Sequence, residues 1–509
     1  MLKTDSYKKG ILISTALNIF IKCIAFVNTV IIAYYFGATI ETDLYFYIFS
    51  TVTLIAAFIN GMDLTVIIPE GMQLEQKEGR GNAVLFYNSF AYLYLLIGIL
   101  LFTVLYLFAV PIYNSVSSFK NTVLNHHRNL LIISSALPLF LILSNYLTSI
   151  LTSLKYFIAP LIASGIAYIS GIAALIIFHK TTGITAMLIG LVFGYILNVM
   201  LLMAFMYVKL NWSFAFSIKE LSRRIKKNLF TVQLGNLATF AFNYGVIVLL
   251  SGLATGVYSA YNYSMQVLNI PLLFIVAQTS AVAGIKFNEL SGKRLHKELN
   301  KIFQDILSVL LFLIVPFCFL TYLYADVIVN FLFLRGGFTI DSADKVALFL
   351  KYLIFLVPFL TINTFISRVV NAEKKVSRSF YFQFGFNLSL LILLILITPY
   401  YGEYGFIFTM LIAYFLYITL VSIFLFKWIM PFIIYRDVLK SFGVIFLFNI
   451  PLILIYYKIF GTLTSVIQLI LIACSYYLLI IILNHFIKIN SSTHFHLSNF
   501  LKFIYLKVK

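Results

Sequence analysis

Between residues 11 and 487 the sequence returns again and again to apolar runs of about 20 residues or more, separated only by short polar breaks. A hydrocarbon layer of about 30 Å is crossed by about 20 helical residues. Within it every backbone N–H and C=O must be bonded inside a helix or a closed barrel. Runs this long, repeated over the whole chain, read as lipid-facing helices. The chain is therefore expected to be all-α and polytopic. Its 62% hydrophobic and 10% charged residues exclude an ordinary soluble protein, for which about 45–50% and about 25% are usual. Fourteen spans are predicted, near 11–36, 44–68, 84–110, 130–153, 157–178, 184–207, 229–251, 258–285, 304–325, 346–370, 379–398, 404–426, 441–460 and 463–487.

An even number of spans puts both termini on one side, and the net charge of +19 tests which. Of the 36 Lys and Arg residues, 27 fall in loops on the N-terminal side and six on the other: Lys120, Arg128, Lys180, Arg335, Lys345 and Lys458. Cytoplasmic loops collect Lys and Arg, so both termini are expected in the cytoplasm. The basic charge is then explained without nucleic acid. The start MLKTDSYKKG leads into an apolar run too long for a signal-peptide core, which reads as an uncleaved first helix. Cys23, Cys318 and Cys474 lie singly in apolar runs and point to neither disulfides nor metal.

A weak internal repeat accompanies the spans. Asn28 and Gly37 match Asn243 and Gly252, each pair preceding a Tyr-rich helix, and Pro138 matches Pro358 ahead of the basic turns at Lys155 and Lys374. MLIG at 187–190 matches MLIA at 410–413, and all offsets lie between 215 and 223 residues. The expected organisation is an N-lobe of six spans over 1–208, a parallel C-lobe of six over 209–427, and two added spans with a cytoplasmic tail over 428–509.

Ionisable groups inside spans cost roughly 2.5–3.5 kcal/mol on insertion scales and mark functional sites. Lys22 sits near the middle of the first span on a stripe with Thr15, Asn18 and Thr29. Gln233, Asn236 and Asn243 share a face of the seventh span, Asn262, Gln266 and Asn269 one of the eighth, and Arg368 closes the tenth. For the amides, simple hydrogen bonding between helices competes with a lumen role. Asp43 and Asp63 are the acids of the second span. An amide-rich, cationic lumen suits an anion that carries sugars, whereas a proton-driven cation exporter needs buried carboxylates. Nucleotide-binding and hydrolase motifs and a catalytic outer loop are missing from the sequence, so an enzyme, including a membrane glycan polymerase or ligase, is disfavoured.

Four stretches carry a family resemblance: AFVNTVIIAYYFGATIETDLYFYIF (25–49), ILTSLKYFIAP (150–160), YNYSMQVLNIP (261–271) and LFLRGGFT (332–339). They resemble the lipid II flippases of bacterial cell-wall synthesis, the MurJ/MviN group of the multidrug/oligosaccharidyl-lipid/polysaccharide exporter superfamily. The resemblance implies two pseudosymmetric lobes with two extra helices in the bacterial inner membrane. It also implies a flippase that moves a polyprenyl-pyrophosphate-linked saccharide outward by alternating access, its lipid tail left in the bilayer. The alternative within the superfamily is a drug or cation exporter. No cofactor or metal is implied, and the expected partners are the lipid-linked substrate and membrane lipids around a monomeric transport unit. In that family cations ring the lumen. Lys22 and Asp43 match its pattern, whereas Asn28, Ala56 and Gln266 stand where Arg is expected. The substrate-binding candidates are thus Lys22, Asn18, Asn28, Asp43, Asn243, Gln266 and Arg368. In the outer loop Arg335 either grips a leaving pyrophosphate or caps the preceding helix.

Overall fold

The computed structural model describes residues 7–216, 223–461 and 465–487. Of the basic residues counted above, Lys3, Lys219, Lys488, Lys502, Lys507 and Lys509 lie outside the described residues, as does the side chain of Thr15. The described chain is helical throughout and forms two compact units, Met1–Ser259 with Gly336–Phe338, and Ala260–Arg335 with Thr339–Lys509.

The first unit comprises α1 (Tyr7–Phe36), α2 (Ile40–Asn60), α3 (Ile68–Glu78), α4 (Arg80–Val116), α5 (Asn121–His126), α6 (Arg128–Ser134), α7 (Leu137–Ser153), α8 (Ile158–Thr182), α9 (Thr185–Leu210), α10 (Arg223–Ser251) and the start of α11 (Val257–Pro271). A π-helical turn at Asp63–Ile67 joins α2 to α3. Small residues let α8 and α9 pack closely: a methyl group at Gly190 would fall 2.4 Å from the carbonyl oxygen of Ser170. α1 packs on α8, and α2 lies against both α7 and α10.

The second unit holds the rest of α11, a π-helical turn at Leu272–Val276, α12 (Ala277–Gly292), α13 (His296–Leu323), α14 (Ala325–Phe333), α15 (Ile340–Leu353), α16 (Leu356–Ala372), α17 (Val376–Leu416), α18 (Ser422–Ile429), α19 (Tyr435–Phe460) and α20 (Val466–Ile487). α12 packs on α16, α13 on α19 and α14 on α20.

Among the described residues 12 helices are long and apolar enough to cross a membrane, and the bent pair α15–α16, angled at 49°, makes a thirteenth span. The fourteenth comes from α17. Gly402 interrupts it at φ 58°, ψ −139°, and the rings of Phe386 and Tyr417 stack 4.0 Å apart while Gln383 meets the Tyr417 hydroxyl. Residues on either side of Gly402 therefore face each other, and the continuous helix is an antiparallel hairpin. The outer segments predicted as loops are largely helical: α4 runs on to Val116, and α5 and α14 fill the rest. Their apolar residues, such as Leu124 and Phe333, are buried.

The backbone records the repeat more sharply than the side chains do. Left-handed residues occur at Gly37 and Gly256, at Lys155 and Lys374, and at Gly183 and Gly402. Each pair is separated by 219 residues, within the offset read from the sequence.

Candidate functional site

α1 carries the stripe expected to face substrate. Lys22 is exposed, and among the described residues it has no ion pair and no hydrogen-bond partner. Beside it Ile21 is buried against Gly165 of α8, which leaves the Lys22 face of the helix open. Asn18, one turn earlier, is half-buried. The stripe does not continue evenly: Thr29 is buried and donates to the Ala25 carbonyl in its own helix at 3.3 Å. Asn28 is 6% exposed, with a buried Oδ1 that finds no donor among the described residues. An orphaned buried acceptor costs about 1–3 kcal/mol, so this oxygen is poised for a hydroxyl, an amide or water.

Asp43 is placed by the turn before α2. The Thr42 hydroxyl accepts from the Thr39 N–H at 2.8 Å and so fixes the first turn of the helix. The carboxylate then reaches the start of α11: Oδ2 accepts from the Gly256 N–H at 2.6 Å, and Oδ1 from the N–H and hydroxyl of Ser259 at 2.7 and 2.5 Å. Orphan N–H groups and the positive end of the helix dipole favour an anion here. Asp43 is 3% exposed and both oxygens are occupied. In this conformation it binds protein.

α2 also meets α10 along a seam. Tyr47 and Tyr244 both donate to the Val116 carbonyl, at 2.9 and 2.6 Å, with their hydroxyls 3.0 Å apart. Further along, Gln233 donates to the Phe58 carbonyl at 2.7 Å and the rings of Phe58 and Phe240 lie 5.0 Å apart. At the other end Arg224 pairs with Glu70 at 2.7 Å. Gln233 and Asn236 thus serve interhelical packing, while Asn243 is exposed, with no hydrogen bond to the seam.

The tip of the LFLRGGFT loop, Gly336–Phe338, belongs to the first unit. The Gly337 N–H donates to the Tyr34 carbonyl at 2.7 Å and Phe338 is buried. A Cβ at Gly336 would fall 2.4 Å from the Tyr34 oxygen, so the glycine pair allows backbone to lie on backbone.

In the second unit Arg335 donates from Nη2 to the Phe331 carbonyl at 2.8 Å and lies 5.4 Å over the Phe331 ring, the geometry of a cap on α14. Gln266 is half-buried on α11. Arg368 is exposed on α16, its side chain lying over Gly284 of α12.

Sequence reasoning missed Ser259 and Tyr244, and considered Tyr47 only as a neighbour of bound sugar. The usable signal was the repeat: Ser259 follows Asp43 by 216 residues, so the equivalent helix starts of the two repeats meet. It also left Asp63 without a partner. This acid is 1% exposed and accepts from Tyr94 at 2.5 Å and Asn60 at 3.0 Å.

The family model described as lipid II flippase MurJ matches residues 32–480. A curated relative, the probable lipid II flippase MurJ of Borreliella burgdorferi, is 24% identical over 397 residues, covering 75% of this chain and 76% of the relative. Among solved structures, lipid II flippase MurJ in an inward closed conformation superposes with a TM-score of 0.78 at 22% identity, over 94% of this chain and all of that one. An inward-facing multidrug resistance transporter of the MATE family gives a TM-score of 0.63 at 13% identity, over 83% and 99%.

Proposed function

Because the chain belongs to the lipid II flippase MurJ family, we propose that it moves lipid II, or a polyprenyl-pyrophosphate-linked saccharide of the same build, from the inner to the outer leaflet of the bacterial cytoplasmic membrane. The observation that carries this reading is the extent of the family match: residues 32–480 run from the last turn of α1, through the other helices of both repeats and α19, to most of α20. The repeat units proposed for the transporter are 1–208 and 209–427, with 428–509 added; the left-handed residues spaced by 219 support that division. The unequal distribution of basic residues supports cytoplasmic termini. Translocation breaks no bond, so we assign neither catalytic residue nor cofactor, and we take a single chain as the transport unit.

Within the cycle Lys22 receives the pyrophosphate. Its ammonium is exposed in the middle of α1 and unpaired among the described residues, and charge-assisted hydrogen bonds to phosphate are the strong ones. Asn18, the orphan oxygen of Asn28 and Asn243 serve sugar hydroxyls from the first unit, and Gln266 and Arg368 are separate candidate contacts of the second. Asp43 acts as a latch whose release from Ser259 accompanies alternating access.

Replacing the resident lipid II flippase of a bacterium with this chain tests the reading. The expected result is growth, with lipid II reaching an externally added lipid II-cleaving enzyme. Failure of both while the protein resides in the membrane, together with efflux of cationic dyes, would instead favour the exporter alternative suggested by the MATE likeness.

A further inference from the structure

The first unit contains a polar cavity remote in sequence from the α1 stripe. Pro111 cannot donate to the carbonyl of Leu107, and its ring crowds that turn; α4 is broken there, with Phe108 at φ −122°, ψ 28°. The break opens a space of about 520 Å³ between the end of α4, α5 and the start of α6. Its polar wall is Asn114, Asn121, Asn125 and Arg128. Asn125 donates to the backbone and side-chain oxygens of Asn121, both at 3.0 Å. The Arg128 guanidinium and the Asn114 amide have no partner among the described residues.

No carboxylate lines the cavity, so its formal charge is that of one guanidinium. The other wall is apolar and continuous with an exposed face of α4: Leu107 is 62% and Phe108 54% exposed. A soluble anion would use only the first wall and a hydrocarbon chain only the second. A phospholipid uses both: guanidinium and amides for a phosphodiester and headgroup hydroxyls, and the apolar wall for an acyl chain.

We propose that this cavity seats an anionic phospholipid of the leaflet opposite the basic loops, its phosphate held by Arg128 and Asn114. The site does not depend on which substrate the transporter moves.

The test uses the full-length protein, purified and delipidated in detergent, titrated with phosphatidylglycerol and followed by native mass spectrometry. Saturable binding is expected, weakened about tenfold in Arg128→Gln, partly kept in Arg128→Lys, and unchanged in Lys120→Gln, a neighbouring cation that does not line the cavity. An unchanged melting temperature of Arg128→Gln shows that the fold is intact; if it falls, Asn114→Leu serves as the reporting variant. Wild-type affinity in both Arg128→Gln and Asn114→Leu would overturn the proposal. So would equal binding of glycerol phosphate, which has no acyl chain, or displacement of phosphatidylglycerol by undecaprenyl pyrophosphate at far lower concentration, which would make the cavity a station for the transported lipid.

Discussion

The carboxylate of Asp43 takes two hydrogen bonds from Ser259 on one oxygen and a third, from Gly256, on the other. An acid at the start of one helix thereby caps the start of another, and the contact forms only while the two helix ends stay together. Asp43→Asn replaces one acceptor oxygen with an N–H₂ group that faces N–H donors. The expected cost to this closed arrangement is about 1–3 kcal/mol, enough to shift a two-state equilibrium severalfold or more. Tyr258 is 2% exposed beside the latch. A cysteine at 258, in a background without Cys23, Cys318 and Cys474, should react with maleimide several times faster once Asp43 is Asn. Equal rates would mean that the carboxylate is not what holds the two helix ends together.

Lys22 is predicted to be needed for transport rather than for folding. Lys22→Ala should reach the membrane at normal levels and let substrate accumulate on the inner leaflet, Lys22→Arg should retain part of the activity, and Lys22→Glu should have none. Transport by Lys22→Ala at the wild-type rate would remove the ammonium from the mechanism.

Gly336→Ala should lower stability and loosen the loop. The position combines φ 59° with a Cβ site 2.4 Å from the Tyr34 oxygen, and the left-handed conformation alone costs an L residue about 1 kcal/mol. Faster proteolysis of the 332–339 loop and a lower melting temperature are expected. Gly443→Ala, in α19 with nothing near its Cβ site, should be neutral or stabilising by up to about 1 kcal/mol. Equal melting temperatures for the two variants would contradict the account of the loop.

The proposed sidedness is open to a labelling experiment in intact cells. A cysteine replacing Lys180, beside the turn at Gly183, should react with an impermeant reagent, and one replacing Lys293, beyond α12, should not. The reverse pattern would invert every assignment of inner and outer face.

The architecture was legible because hydrocarbon imposes one rule on every span. The hairpin at Gly402 was visible as two runs, and the repeat as a constant offset. A capping role for Arg335 was one of two that the sequence left open, and the helix it caps, α14, lies in a segment predicted as a loop. The role of Asp43 could not be read in this way, because two of its three donors are backbone N–H groups, which leave no letter in the sequence. The same holds for Gln233, whose acceptor is the carbonyl of Phe58. Helical spacing grouped Thr29 with Lys22, but it does not reveal which part of a stripe a neighbouring helix covers.

Gly183 and Gly402 have nothing within 4 Å of the place a side chain would occupy, so crowding does not explain the glycines. Their backbone angles, near +59° and −140°, are the mirror image of the extended polyproline conformation. An L residue is strained there however much room it has, whereas a D residue would rest at its minimum. What these two hairpins select is handedness. Two uncrowded turns are, for that reason, closed to substitution by any genetically encoded side chain without strain.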